Sequence, residues 1–122
     1  METIIILIIL MGCIILHYSL KEKDKSTYYT VKKITWLSRD APFDFGYGNG
    51  YVGVNKNHPC YGKSYDDVPV DVHGGITYAE LHGDYWVFGF DTCHYTDTLE
   101  KWPYEKVLEE TIYLKNQLKE LY

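Results

Sequence analysis

The sequence changes character at its twentieth residue, and that break leaves material for one small core only. From Ile4 to Leu16 it runs I-I-I-L-I-I-L-M-G-C-I-I-L without a charge, and the first charges behind it are Lys21 and Glu22. What remains of the 122 residues is about 100, enough for a single domain.

Seven Ile and three Leu in that run favour a bilayer by about 3–6 kcal/mol. As helix, Ile4 to Leu16 covers only about 20 Å against roughly 30 Å of hydrocarbon, whereas residues 3–20 reach about 27 Å. An uncleaved anchor through residues 3–20 is the leading expectation. Lys21, Lys23 and Lys25 behind it place the domain in the cytoplasm under the positive-inside rule. Three alternatives stay open. A processed segment lacks the usual basic start, because the chain begins Met1-Glu2-Thr3; Leu10-Met11-Gly12-Cys13 has the look of a lipoprotein box with the same defect. β-branched Ile also suits a buried strand or core helix. Either would leave a soluble cytoplasmic protein.

The rest reads as residues 21–27 of charged linker and one α+β domain over 28–122, a small, mostly antiparallel sheet with a C-terminal amphipathic helix. Tyr28 to Ser38 and Tyr51 to Val54 are expected strands, separated by a loop in which Gly46-Tyr47-Gly48-Asn49-Gly50 reads as a turn. Val68 to His73 alternates, with Val68, Val70 and Val72 on one face, so a strand is expected there, at an edge because of Pro69. Gly74-Gly75 breaks it and Ile76-Thr77-Tyr78 resumes. Tyr85 to Asp91 is apolar on both faces and is expected centrally, with Gly89 leaving room for a ligand or another backbone. Pro103 to Leu121 is a helix: Pro opens it, Glu105, Glu109 and Glu110 favour its N-terminal half, and Val107, Thr111, Leu114, Leu118 and Leu121 make one stripe. Leu108 and Ile112 widen that stripe, so a homo-oligomer is expected.

Charge and motifs exclude several functions. The formal charge is −5 with a single arginine, Arg39, which argues against a nucleic-acid duplex. No C-x-x-C pair suggests structural zinc, and Cys60 and Cys93 read as free thiols, with pairing left for an oxidising compartment. No phosphate-binding G-x-x-x-x-G-K loop, nucleophile elbow or H-E-x-x-H helix occurs.

Polar groups concentrate in two segments. In Asp71-Val72-His73-Gly74-Gly75, Asp71 and His73 share a strand face, and the glycines could expose amides to an anion; a plain turn with a hydrogen-bonded His73 explains the same residues. In Asp91-Thr92-Cys93-His94-Tyr95-Thr96-Asp97, carboxylates and an imidazole three apart could hold a divalent metal as Asp91, His94 and Asp97, with His73 or Asp71 completing the shell, or serve as acid and base. D-x-x-H-x-x-D has no fixed meaning, and capping by Asp91 and Asp97 explains it equally. The expected ligand-binding set is Asp71, His73, Gly74, Gly75, Trp86, Asp91 and His94, with Trp86 or a tyrosine as the stacking wall.

The runs H58-P-C-Y-G-K-S-Y-D-D-V-P-V-D-V-H-G-G-I-T-Y78 and W86-V-F-G-F-D-T-C-H94, with Asp97 and the helix residues Tyr104, Val107 and Glu110, resemble a family of small phage and prophage proteins. The resemblance covers roughly residues 49–119, carried by V-H-G-G-I/L-T and G-F-D-x-x-H-x-x-D; the N-terminal segment is not part of it. It implies an immune-evasion protein that sequesters a nucleotide-derived signal, such as a cyclic nucleotide, without cleaving it. Two other functions compete: a metal-assisted hydrolase using Asp91, His94, Asp97 and His73, and a membrane-tethered structural or interaction protein. The lead expectation is a non-enzymatic small-ligand module without a cofactor.

The anchor has a direct test. Expressed in bacteria, the full chain is expected to fractionate with membranes and to resist extraction at high pH. Unprocessed protein in the soluble fraction would sink that expectation.

Overall fold

A computed structural model describes residues 26–35 and 45–122. The hydrophobic segment, the linker up to Lys25, and the stretch from Trp36 to Asp44 lie outside the described residues. Among the described residues no helix is long and apolar enough to cross a membrane.

Four strands form one antiparallel sheet in the order β1-β2-β4-β3: β1 is Thr27–Lys33, β2 Gly48–Val54, β3 Tyr78–His82 and β4 Tyr85–Phe90. One helix follows, α1, Tyr104–Glu120. This is the α+β arrangement expected from the sequence. β4 is indeed central, between β2 and β3.

Alternation decides which side of the sheet is covered. Register sets Val52 beside Phe88, Val54 beside Trp86 and Gly50 beside Phe90, all on one face. Against that face α1 packs Val107, Thr111, Leu114 and Leu118, all fully buried. Leu108, Ile112 and Leu121 flank the stripe half-exposed. The long loop from Asn55 to Thr77 adds Cys60, Val72 and Ile76 to the same core.

Among the described residues no helix lies on the other face, where tyrosines pack. Tyr51 and Tyr78 meet edge to face, with centroids 5.4 Å apart, and Tyr28 and Tyr85 do so at 4.8 Å. The space above Gly89 belongs to these rings: a Cβ there would lie 2.6 Å from the Tyr51 ring and 3.2 Å from Tyr78. The glycine expected to admit a ligand admits tyrosines instead.

Three sequence expectations need correction. β2 begins at Gly48, so Gly48-Asn49-Gly50 is strand and not turn; Gly50 is required there because a Cβ would strike Thr111 and Phe90. The linker ends before residue 27, since Thr27 already pairs with Val54. Most informative is Val68 to His73, which joins no sheet and tightens at Pro69, where Val70 N–H donates to the Val68 carbonyl at 2.9 Å. The backbone groups of Asp71 and His73 bond instead to side chains of α1. Gln117 Oε1 accepts from Asp71 N–H and Gln117 Nε2 donates to the Asp71 carbonyl, each at 2.7 Å, while Glu110 Oε1 accepts from His73 N–H at 2.9 Å. Pro69 has no N–H to offer a ladder. The alternation still holds in packing, with Val72 buried and Val68 and Val70 half-buried.

If Gln117 docks this segment, Gln117→Ala is expected to cost about 1 kcal/mol by urea unfolding, more than the exposed neighbour Asn116→Ala at under about 0.5 kcal/mol. Equal midpoints for the two variants would overturn that role.

Candidate functional site

The two polar segments meet where β4 ends. Asp91 to Asp97 leaves that strand as a tightly bonded loop, and its spacing of three reflects turns rather than a helix face. Asp91 Oδ1 accepts from Cys93 N–H at 3.0 Å, and Asp91 Oδ2 accepts from the Thr77 hydroxyl at 2.9 Å. Asp97 N–H donates to the His94 carbonyl at 2.9 Å, and His94 N–H donates to Asp97 Oδ2 at 3.0 Å. Thr92, fully buried, donates to the Gly48 carbonyl at 2.7 Å and ties the loop to β2. Both aspartates therefore do loop work, as the structural alternative held.

Asp97 also reaches across to the other segment. Its second oxygen, Oδ1, lies 2.8 Å from His73 Nε2. A carboxylate only accepts, so His73 Nε2 carries the proton in this contact. Asp97 is almost wholly buried, and this one side chain fixes both the His94 backbone and the His73 ring. The rings of His73 and His94 stand edge to face, with centroids 5.3 Å apart.

Trp102 makes the wall. Its indole lies 4.0 Å from the His73 ring, centroid to centroid, and is tilted by 33°. The residue precedes the helix N-cap Pro103 and is held by its own N–H donating to the Thr98 carbonyl and its carbonyl accepting from Tyr47 N–H, both at 2.8 Å. Trp86, the expected wall, sits at the opposite end of β4, about 16 Å along the strand from Asp91. There its indole N–H donates to the Lys63 carbonyl. Asp71 is exposed and its backbone bonds are to Gln117. His73, Gly74, His94, Asp91 and Asp97 thus come together, and Asp71 and Trp86 do not join them.

Gly74 has a structural reason to be glycine. Its φ is +68°, and a Cβ would fall 2.1 Å from His94 Nε2. The backbone thereby covers that nitrogen, which is buried and makes no hydrogen bond although Asp91 Oδ1 is 3.4 Å away. The expected anion nest is largely spent: Gly75 N–H donates to the Val72 carbonyl at 2.8 Å, and His73 N–H goes to Glu110. The electrostatics of the corner come instead from Asp91, Asp97 and Glu110 beside two imidazoles.

One nitrogen from each of His73 and His94 and one Asp97 oxygen lie within 4.8 Å of one another, a grouping that could hold a metal ion. Asp91 stands beside the group and Glu110 behind it. Concavities also occur elsewhere: one of about 290 Å³ between Asn55 and Tyr85, and one of about 90 Å³ among Tyr28, Lys32, Tyr51 and His82 on the tyrosine face. Neither is lined by His73 or His94. The histidine corner carries the denser chemistry, because its ionisable groups converge and hold one another.

Cys93 tests that electrostatic picture. Burial, then the charges of Asp91 and Asp97, push its thiol above the ordinary value. Asp91→Asn removes one of those charges, lowers the thiol pKa and raises the thiolate fraction at pH 8. Alkylation of Cys93 by iodoacetamide, followed peptide by peptide, is expected to accelerate. An unchanged or slower rate would remove Asp91 as a cause.

No protein-family model, no curated protein and no solved structure matches this chain.

Proposed function

We propose that this chain is a small-ligand-binding module that holds a nucleotide-derived ligand at the His73–His94–Trp102 corner without cleaving it. The observation that supports this is a half-exposed imidazole, His73, set between the Trp102 indole and the His94 ring and held by the buried Asp97. Binding needs stacking surface and a few immobile polar groups, and a ring held by a buried carboxylate, as His73 is by Asp97, loses little freedom when a ligand arrives. The half-exposed Trp102 and His94 would offer ring surface to a planar base, beside the polar groups of His73 and Asp91.

Sequestration fits this corner better than covalent catalysis. A nucleophile needs activation, and the thiol at the site, Cys93, is driven towards its protonated form. The phage-protein resemblance of the two motifs points the same way. Metal-assisted hydrolysis is the second reading, favoured by the imidazole–carboxylate grouping of His73, His94 and Asp97.

Calorimetry of the full chain against cyclic di- and trinucleotides and ADP-ribose derivatives, with chromatography of the recovered ligand, separates these readings. The expected outcome is binding of at least one member, intact recovery, and a loss of about 1.4 kcal/mol or more, tenfold in affinity, for His94→Ala and for Trp102→Ala. Cleavage that depends on added divalent metal would move the function to hydrolysis. Failure to bind any member would end the nucleotide reading.

A further inference from the structure

We propose that His73, His94 and Asp97 form a binding site for a divalent transition-metal ion of the zinc class. The inference deepens the ligand reading at the same corner, but it stands on different observations.

Distance comes first. The three candidate ligand atoms already lie within 4.8 Å of one another. A tetrahedral ion with bonds of 2.0–2.1 Å sets its ligand atoms about 3.3 Å apart. The group therefore has to contract by at most about 1.5 Å, which rotation of the half-exposed His94 ring can supply. His73 and Asp97, at 2.8 Å, would part slightly to admit the ion between them.

An unsatisfied atom comes second. His94 Nε2 is buried against Gly74 and has no hydrogen bond. Buried polar atoms normally find a partner, and one without any calls for an explanation. A metal ion at this corner is a partner that an imidazole nitrogen accepts.

Charge comes third, and it selects a cation. Asp97 is buried, Asp91 Oδ1 lies 3.4 Å from His94 Nε2, and the Glu110 carboxylate accepts from His73 N–H. Two of the amides that could have received a bare anion are committed: His73 N–H to Glu110 and Gly75 N–H to Val72. An anionic ligand in this acidic corner needs a positive charge between it and the carboxylates, which a bound ion provides.

The donor set narrows the ion. Two imidazoles and one carboxylate suit Zn²⁺, Fe²⁺ or Mn²⁺, whereas Mg²⁺ and Ca²⁺ favour oxygen ligands. Three protein ligands also leave a coordination position for water or for a phosphate oxygen. Asp97 is held on its far side by the His94 N–H, the kind of outer contact that orients a ligating carboxylate.

The test uses metal alone, so failure of every nucleotide would leave it intact. Tag-free full chain, stripped with chelator, is dialysed against Zn²⁺, Mn²⁺, Mg²⁺ or Ca²⁺ and the bound metal is counted by mass spectrometry. One Zn²⁺ per chain is expected, with Mn²⁺ weaker and little Mg²⁺ or Ca²⁺. His94→Ala, whose ring does not serve the Asp97 clasp, is expected to weaken Zn²⁺ binding by more than about tenfold. His82→Ala, on the exposed end of β3, is expected to leave it unchanged. Zn²⁺ should raise the melting temperature of the native chain and not that of His94→Ala, and the circular dichroism of the metal-free variant reports whether it is folded. Absence of stoichiometric Zn²⁺ would overturn the proposal. So would equal retention by folded His94→Ala, or a loss confined to His82→Ala.

Discussion

Burial of one stripe of α1 against the sheet is the interaction on which the other features depend. Val107, Thr111, Leu114 and Leu118 close the core over β1 and β2, and in doing so they fix where the rest of the helix surface points. That surface then organises the long loop. Gln117 and Glu110 take up the backbone of Asp71 and His73, and the Leu118 carbonyl lies 2.7 Å from His58 Nε2. His58 Nδ1 accepts from Cys60 N–H, so Nε2 bears the proton and donates to that carbonyl. A helix that covers a sheet thereby also serves as the scaffold that an extra strand would otherwise have been.

How far the sequence could be read follows from this division of labour. α1 was legible because its period, its opening Pro103 and its charges agree with one another. β4 was legible because six consecutive strand residues from Tyr85 to Phe90 show no polar face. Val68 to His73 misled in a specific way. Its alternation correctly reported which side meets the core, but alternation is silent about where the hydrogen bonds go, and here they go to Gln117 and Glu110. Gly48-Asn49-Gly50 misled in the opposite sense: glycines that signal a turn locally were needed in β2, Gly50 so that Thr111 and Phe90 could approach and Gly48 so that the Lys32 backbone could. Tertiary context overrode local propensity in both places.

The corner was half legible. His73, His94, Asp91 and Asp97 stood out as polar groups beside apolar strands, and the fold gathers them. Trp102 carried no such signal, because its position depends on Tyr47 and Thr98 holding it ahead of the helix. Trp86 drew attention by lying in β4 beside the motif, yet a strand separates its two ends by its whole length. Asp97 looked like one of several interchangeable carboxylates; burial and its two separate hydrogen bonds make it the residue that aligns both halves.

The order of elements along the chain has a consequence for synthesis. The sheet is complete once β4 has been made, but its apolar face has no lid until α1 follows about 30 residues later. At about 5–20 residues per second, that interval lasts roughly 2–6 s on the ribosome. During it, Val52, Val54, Phe88 and Phe90 have only Cys60, Val72 and Ile76 of the loop to pack against, and Asp71 and His73 lack the Gln117 and Glu110 that later hold them. The nascent protein is thus most exposed to chaperones, and to mispairing with a neighbouring nascent chain, in the seconds before it becomes able to assemble its histidine corner at all.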